Sequence, residues 1–296
     1  MKTTVAISES REQGLVDDVL VLVKARLSFL VLITTLVGFL LGWRGPIDWL
    51  LLGATLIGTA LCAAGAAALN QWWERDGDAK MKRTSSRPVP AGRIQPSDAL
   101  MFGLFFSLTG IAILALFTNS GAAFLAFATI AIYILVYTPM KRISSLNTLV
   151  GAVPGALPPL IGWMASRGHY ELEGGLLFAI LWFWQMPHFL AIAWMYREDY
   201  AKGGCIMLTA ADPNGYATSR QAFFYALFLL VITLLPGVLG FNSAVWFFCA
   251  LGMGLAFAGF AFVFMRRRDV PSARALFFAS ILYLPLLLGL LVLTKK

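Results

Sequence analysis

The chain has 296 residues, of which 59% are hydrophobic and 13% charged, and a formal net charge of +8. Soluble domains carry roughly a quarter of charged residues, so this sequence cannot cover itself with a polar surface, and a water-soluble globular fold is excluded. Three cysteines without metal-type spacing exclude a disulfide framework and a zinc site.

Residues 1–24 read as a retained tail. The stretch "MKTTVAISESREQGLVDDVL" has no apolar run ending in a small-residue cleavage site, and it carries acids that a transit peptide avoids. From residue 25 to 296 the chain reads as one membrane domain. Apolar runs of about 20 residues, enough to cross a bilayer as a helix, lie at 25–43, 47–72, 99–117, 122–140, 146–165, 174–195, 222–239, 244–265 and 275–293. They lack the two-residue alternation of a membrane barrel, and a helix satisfies its own backbone in lipid. The expected fold class is therefore an all-α membrane protein with nine transmembrane helices. The connections at 118–121 and 240–243 are short enough to make spans 3 and 4, and spans 7 and 8, antiparallel neighbours. Cys62 and Cys249 fall within spans and read as packing residues; Cys205 lies outside them.

All but four of the 23 Lys and Arg residues fall in the tail and in the connections after spans 2, 4, 6 and 8; the other face keeps Arg44, Arg167, Lys295 and Lys296. The positive-inside rule then places the N-terminus in the cytoplasm. Topology accounts for the net charge, with no nucleic acid needed as a partner.

Three polar segments stand out on the basic face. The first, "NQWWERDGDAKMKRTSSRPVPAG", begins at Asn70. Asn70, Glu74 and Asp78 are spaced i, i+4, i+8, which lines them on one face if the helix continues through them. Positive-inside bias accounts for bases but does not ask for carboxylates at helical spacing. Oxygen ligands of this kind suit Mg²⁺, held by one or two carboxylates together with substrate phosphates, and Arg75, Lys82, Arg83 and Arg87 are placed to grip phosphate oxygens. Taken singly, those bases also fit a solvated loop. The second segment is "YTPMKR". Tyr137 and Lys141 are four apart, with Arg142 following, but Pro139 argues against an unbroken helix. The third is "WFWQMPHFLAIAWMYREDYAKGG", with Gln185 and His188 inside an apolar span and Glu198 and Asp199 emerging at its end. Polar groups at membrane depth either line a pathway or tie helices together. Two acidic sets on one face can share substrate-bound metal ions.

Together, "NQWWERDGDAKMKRTSSRP", "YTPMK" and "WQMPHF…DY" resemble the UbiA-type intramembrane prenyltransferases, and more closely the branch that farnesylates haem. The resemblance spans all nine helices and implies a bundle around a central cavity. It implies that Asn70, Glu74 and Asp78 form the first Mg²⁺ and diphosphate motif, and that Arg83 and Arg87 belong to an "RTxxRP" element. Tyr137 and Lys141 become a diphosphate pair, with Lys141 also catalytic. Glu198 and Asp199, followed by Tyr200, form the second acidic motif. His188, with Trp184 and Gln185, would face haem. Glu74 departs from the family's usual Asp by one methylene, and Ile206 stands where a proline is usual. The implied reaction joins the farnesyl group of farnesyl diphosphate, with water, to a vinyl group of haem B, giving haem O. Mg²⁺ is the implied cofactor, a bacterial inner membrane the implied location, and haem A synthase or a terminal oxidase the implied receiver of product. Alternatives are a quinone precursor or another ring as acceptor, or a transporter with a discontinuous helix near Gly151, Pro154, Gly155, Pro158 and Pro159.

Overall fold

The computed structural model describes residues 14–296; Lys2 and Arg11, counted above with the tail, lie outside them. Among the described residues there are 9 helices long and apolar enough to cross a membrane, the number read from the apolar runs. A short helix α1 (Leu15–Leu22) precedes α2 (Ala25–Gly42), α3 (Trp49–Asp78) and α4 (Pro96–Phe117). The fourth span, Ser120–Met140, is composite: α5 (Ser120–Ala131), a π-helical stretch Ile132–Tyr137, and the turn α6 (Thr138–Met140). Then follow α7 (Asn147–Arg167), α8 (Leu172–Met195), the short α9 (Arg197–Lys202), α10 (Tyr216–Val238), α11 (Ala244–Arg267) and α12 (Val270–Leu293). As expected from their short connections, α4 packs on α5, and α10 on α11.

Several helices begin earlier than hydropathy suggests, because a polar first turn carries no apolar signal. Pro96 starts α4, a position where its missing N–H costs nothing. Asp269 caps α12 by accepting the Ser272 N–H at 2.8 Å, so that helix starts five residues before the apolar run. α3 continues six residues past Trp72, which carries Glu74 and Asp78 on the helix.

α7 is the central helix, buried over most of its length. It runs unbroken through Pro154, Pro158 and Pro159, so the discontinuous helix on which the transporter alternative depended is corrected. α2 crosses it with backbones nearly touching. A Cβ on Gly38 would sit 1.8 Å from the Pro159 carbonyl oxygen, and one on Gly162 1.9 Å from that of Thr35. Only glycine allows this approach, which is the packing device of helices in lipid. Trp163, Trp246, Phe39 and Phe264 fill the interior, while Phe105, Phe124, Phe248 and Leu282 point outward to the bilayer.

α1 belongs to the stretch read as tail, yet it is pinned to the bundle. The Arg93 guanidinium donates to both oxygens of the buried Asp18 at 3.0 Å, and the Gln71 amide donates to the Val21 and Leu22 carbonyls. Leu15, Val16 and Leu20 remain exposed.

Candidate active site

Because α3 is continuous to Asp78, Asn70, Glu74 and Asp78 fall on successive turns of one face, and each meets a different cation. Lys24 Nζ donates to Asn70 Oδ1 at 2.8 Å. Lys141 Nζ donates to Glu74 Oε1 at 2.8 Å, and Asn70 Nδ2 donates to the other oxygen of Glu74 at 2.9 Å. Arg87 Nη1 donates to Asp78 Oδ2 at 2.5 Å. Asn70 and Asp78 are each only 1% exposed, so these are charge-assisted contacts in a poorly solvated place, where such bonds are strong. Burial, reinforced by the charges of Arg87 and Lys141, pushes the Lys24 ammonium down to about 7. Burial also opposes charge on Lys141, but Tyr137 and Glu74 beside it outweigh that and hold it well above the ordinary lysine value.

Lys141 reaches this place by an unexpected route. Pro139 does not break the span, because the preceding turn widens to π geometry over Ile132–Tyr137. In that wider turn the Tyr133 carbonyl accepts both the Thr138 N–H and the Thr138 hydroxyl, the latter at 2.8 Å. π turns are frequent at functional sites. The continuous path sets Tyr133, Tyr137 and Lys141 in i, i+4, i+8 register. The two tyrosine rings stack at 5.5 Å, Lys141 Nζ lies 4.5 Å from the Tyr137 ring centre, and the Tyr133 hydroxyl accepts from Lys24 at 3.3 Å. Gly151 on α7 makes room for this: a Cβ there would lie 2.4 Å from Tyr137 Cε2.

The segment after α3 folds back over Asp78. The buried Thr84 hydroxyl donates to the Asp78 carbonyl at 2.9 Å, which turns the chain so that Arg87 returns to the Asp78 carboxylate. Asp199 on α9 then clasps the same segment, its two oxygens accepting the backbone N–H groups of Lys82 at 2.9 Å and Arg83 at 3.3 Å. The Arg83 guanidinium lies over the rings of Tyr196 and Tyr200. A cleft of about 580 Å³ opens here, lined by Lys82, Arg83, Tyr196, Glu198, Asp199 and Lys202 among others.

Other expected residues are placed apart. Arg75 turns to the Trp72 carbonyl and ring on a neighbouring face of α3, and Arg142 is exposed beside Gly77. Gln185 is buried, with its amide protons directed to the Ala152 carbonyl of α7 and to the Leu181 carbonyl of its own helix. Trp184 and His188 lie against α12. Among the described residues no three acids, histidines or cysteines are grouped closely enough to hold a metal, so the two acidic sets do not form one shared cage. The donor chemistry still suits Mg²⁺. Asn70, Glu74 and Asp78 present hard oxygens already attracting cations, and an ion that keeps waters and phosphate ligands needs only one or two carboxylates.

Lys24, Tyr133 and Thr138 were not read from the sequence as site residues. Lys24 adjoins a span on the basic face, where one more lysine carries no signal. The register of Tyr133 with Tyr137 and Lys141 was a signal, hidden by reading Pro139 as a break.

Residues 31–282 match the model of the UbiA prenyltransferase family. A protoheme IX farnesyltransferase of Solibacter usitatus is 42% identical over 287 residues, covering 94% of this chain and 98% of its own length. A mitochondrial protoheme IX farnesyltransferase of Arabidopsis thaliana is 40% identical over 273 residues, 92% of this chain and 63% of its own. Among solved structures, a UbiA homolog from Archaeoglobus fulgidus bound to GPP and Mg²⁺ superposes with a TM-score of 0.69 at 15% identity, over 93% of this chain and 99% of its own. A nine-span bundle, two acid-bearing segments clasped at one face and relatives alike over nearly the whole chain point the same way: the chain belongs to the UbiA prenyltransferase family.

Proposed function

We propose that this protein transfers the farnesyl group of farnesyl diphosphate to a vinyl group of haem B, with addition of water, giving haem O and diphosphate. The near-full-length relatives carry that activity in their name. The observation in the molecule that supports it is the row of three cations, Lys24, Lys141 and Arg87, each set against one member of the Asn70, Glu74, Asp78 face.

An allylic diphosphate ionises when the charge left on the diphosphate is stabilised by preorganised groups. Lys24, Lys141 and Arg87 are already ordered at this face and can transfer their N–H bonds from carboxylate and amide oxygens to phosphate oxygens. Arg83, steadied over Tyr196 and Tyr200, and Lys82 flank the cleft by which a diphosphate reaches them. In this reading Asn70, Glu74 and Asp78 would hold one Mg²⁺ and Glu198 and Asp199, which line the cleft, would hold another, each ion completing its shell with diphosphate oxygens and water; bound there, such ions would neutralise the departing diphosphate. The same-fold neighbour bound to GPP and Mg²⁺ supports that choice. Tyr133 and Tyr137 present aromatic faces beside the ammonium groups, and such faces stabilise a nearby carbocation by the attraction that holds Lys141 over Tyr137. Haem B, the acceptor, is met by His188 and Trp184 on α8. The haem vinyl group bonds to the allylic carbon, and water takes the resulting cation and loses a proton. The basic face is cytoplasmic in a bacterial inner membrane, and haem A synthase or a terminal oxidase receives the product.

The test is the pigment. Membranes carrying the protein, given haem B and labelled farnesyl diphosphate, should yield haem heavier by one hydrated farnesyl group, with diphosphate released. A chelator should abolish this and Mg²⁺ restore it. Unaltered haem with label still in the diphosphate would refute the assignment.

A further inference from the structure

His188 lies about two turns, on the order of 10 Å, inside the end of α8 at Met195. Its surroundings fix more than its position. The ring is sandwiched between Trp184 on one side, centroids 5.0 Å apart and planes within 22°, and Phe277 on the other, 5.0 Å and 28°. Trp184 is itself anchored, its indole N–H donating to the Ser280 carbonyl at 2.9 Å. The imidazole therefore has little freedom to rotate about its own side-chain bonds.

Ser280 on α12 decides the proton. It is completely buried, and its oxygen lies 2.7 Å from His188 Nδ1 and 2.5 Å from the Phe277 carbonyl oxygen. A hydroxyl has one proton. The carbonyl can only accept, so the hydroxyl proton goes to Phe277, and the serine oxygen then accepts from Nδ1–H. The reverse assignment would press two lone pairs together at 2.5 Å. Nδ1 thus keeps the hydrogen and Nε2 carries the lone pair. Among the described residues Nε2 has no hydrogen-bond partner and is not sealed in the interior.

We propose that Ser280 is a positioning residue that locks His188 in the Nδ1–H tautomer, so that Nε2 is an axial ligand for the iron of the haem substrate. Metal-binding histidines characteristically donate their other ring N–H to a fixed acceptor, which sets the tautomer and raises ligand basicity. Here the acceptor is a serine tied to its own helix, and a neutral acceptor suits an apolar span better than a carboxylate. Ligation anchors the macrocycle at membrane depth, apart from the charged groups that hold the diphosphate. The proposal rests on haem being the acceptor, and it adds which atom holds it and what prepares that atom.

The experiment is a haem titration of the purified full-length protein in detergent, followed by the Soret band, with farnesyl diphosphate binding measured on the same samples. Wild type should show the spectrum of a histidine-ligated haem, His188→Gly should lose it, and added imidazole should restore it. Ser280→Ala should weaken haem binding by about 10- to 100-fold and leave farnesyl diphosphate affinity unchanged, while Ser280→Thr, which keeps the hydroxyl, stays close to wild type. Absence of haem binding by wild type would defeat the haem reading itself. A wild-type spectrum that persists in His188→Gly would defeat ligation by this residue. If His188→Gly loses the spectrum but Ser280→Ala does not weaken binding, or if Ser280→Thr loses as much as Ser280→Ala, the hydroxyl does not set the tautomer and the proposal falls.

Discussion

Replacing Lys141 by Met separates two roles that one contact serves. Lys141 Nζ and Glu74 Oε1 are 2.8 Å apart, and the side chains are only 17% and 16% exposed. Removing one partner of a buried pair costs about 3–5 kcal/mol when the other is left alone. Glu74 keeps its bond from Asn70, which lowers the expected loss for Lys141→Met to about 2 kcal/mol. Glu74→Gln should cost a similar amount by leaving Lys141 without its anion. The double variant removes both charges and leaves neither unpaired, so its loss of stability should be smaller than the sum of the two single losses by about 1–2 kcal/mol. Activity should behave differently. If Lys141 stabilises the departing diphosphate, its loss lowers kcat/KM by about 100- to 1,000-fold, on the order of 3–4 kcal/mol, and removing Glu74 as well gives nothing back. Thermal unfolding of the detergent-solubilised variants and initial rates of product formation measure the two cycles in parallel. Recovery of activity in the double variant, in step with its stability, would show that the pair only holds helices together and would refute the catalytic role.

Asp199→Asn should release the clasp on the Lys82 and Arg83 amides, raising the KM for farnesyl diphosphate and making the segment after α3 more susceptible to limited proteolysis. An unchanged KM would remove Asp199 from the donor site. Thr84→Val leaves the buried Asp78 carbonyl without its hydroxyl donor and should destabilise the protein by about 1–3 kcal/mol, read as a lower unfolding midpoint; no shift would mean that the turn does not depend on this bond. A reporter joined ahead of Met1 should be cytoplasmic and one joined after Lys296 should lie across the membrane, since an odd number of spans separates them. Both reporters on one side would overturn the proposed topology.

The spans were readable from the sequence because lipid imposes a single demand, an apolar surface of fixed length, and that demand is local. Helix ends were read less well, since the first turns of α4, α10 and α12 carry polar residues and look like loop. The acidic face of α3 was readable for the same local reason: its spacing is the helical repeat. What that face meets was not readable, because Lys24 and Asn70 are 46 residues apart and Lys141 and Glu74 are 67 apart, and no short-range pattern relates a base on one segment to an amide or an acid on another.

Pro139 shows where a local rule and the fold part company. In an α-helix proline forfeits one hydrogen bond and crowds the preceding turn, so a break was the natural reading. The wider turn at Ile132–Tyr137 relieves that crowding, and the hydroxyl of Thr138 occupies the carbonyl of Tyr133. The span then continues through the proline and carries Lys141 to Glu74 on the register set by Tyr133 and Tyr137. A proline that terminated the helix would release Lys141 from that register and leave the Glu74 carboxylate without its ammonium. The irregular turn is therefore tied to the charge arrangement: the departure from α geometry at Ile132–Tyr137 is what sets the lysine that follows the fourth span against the acid at the end of α3.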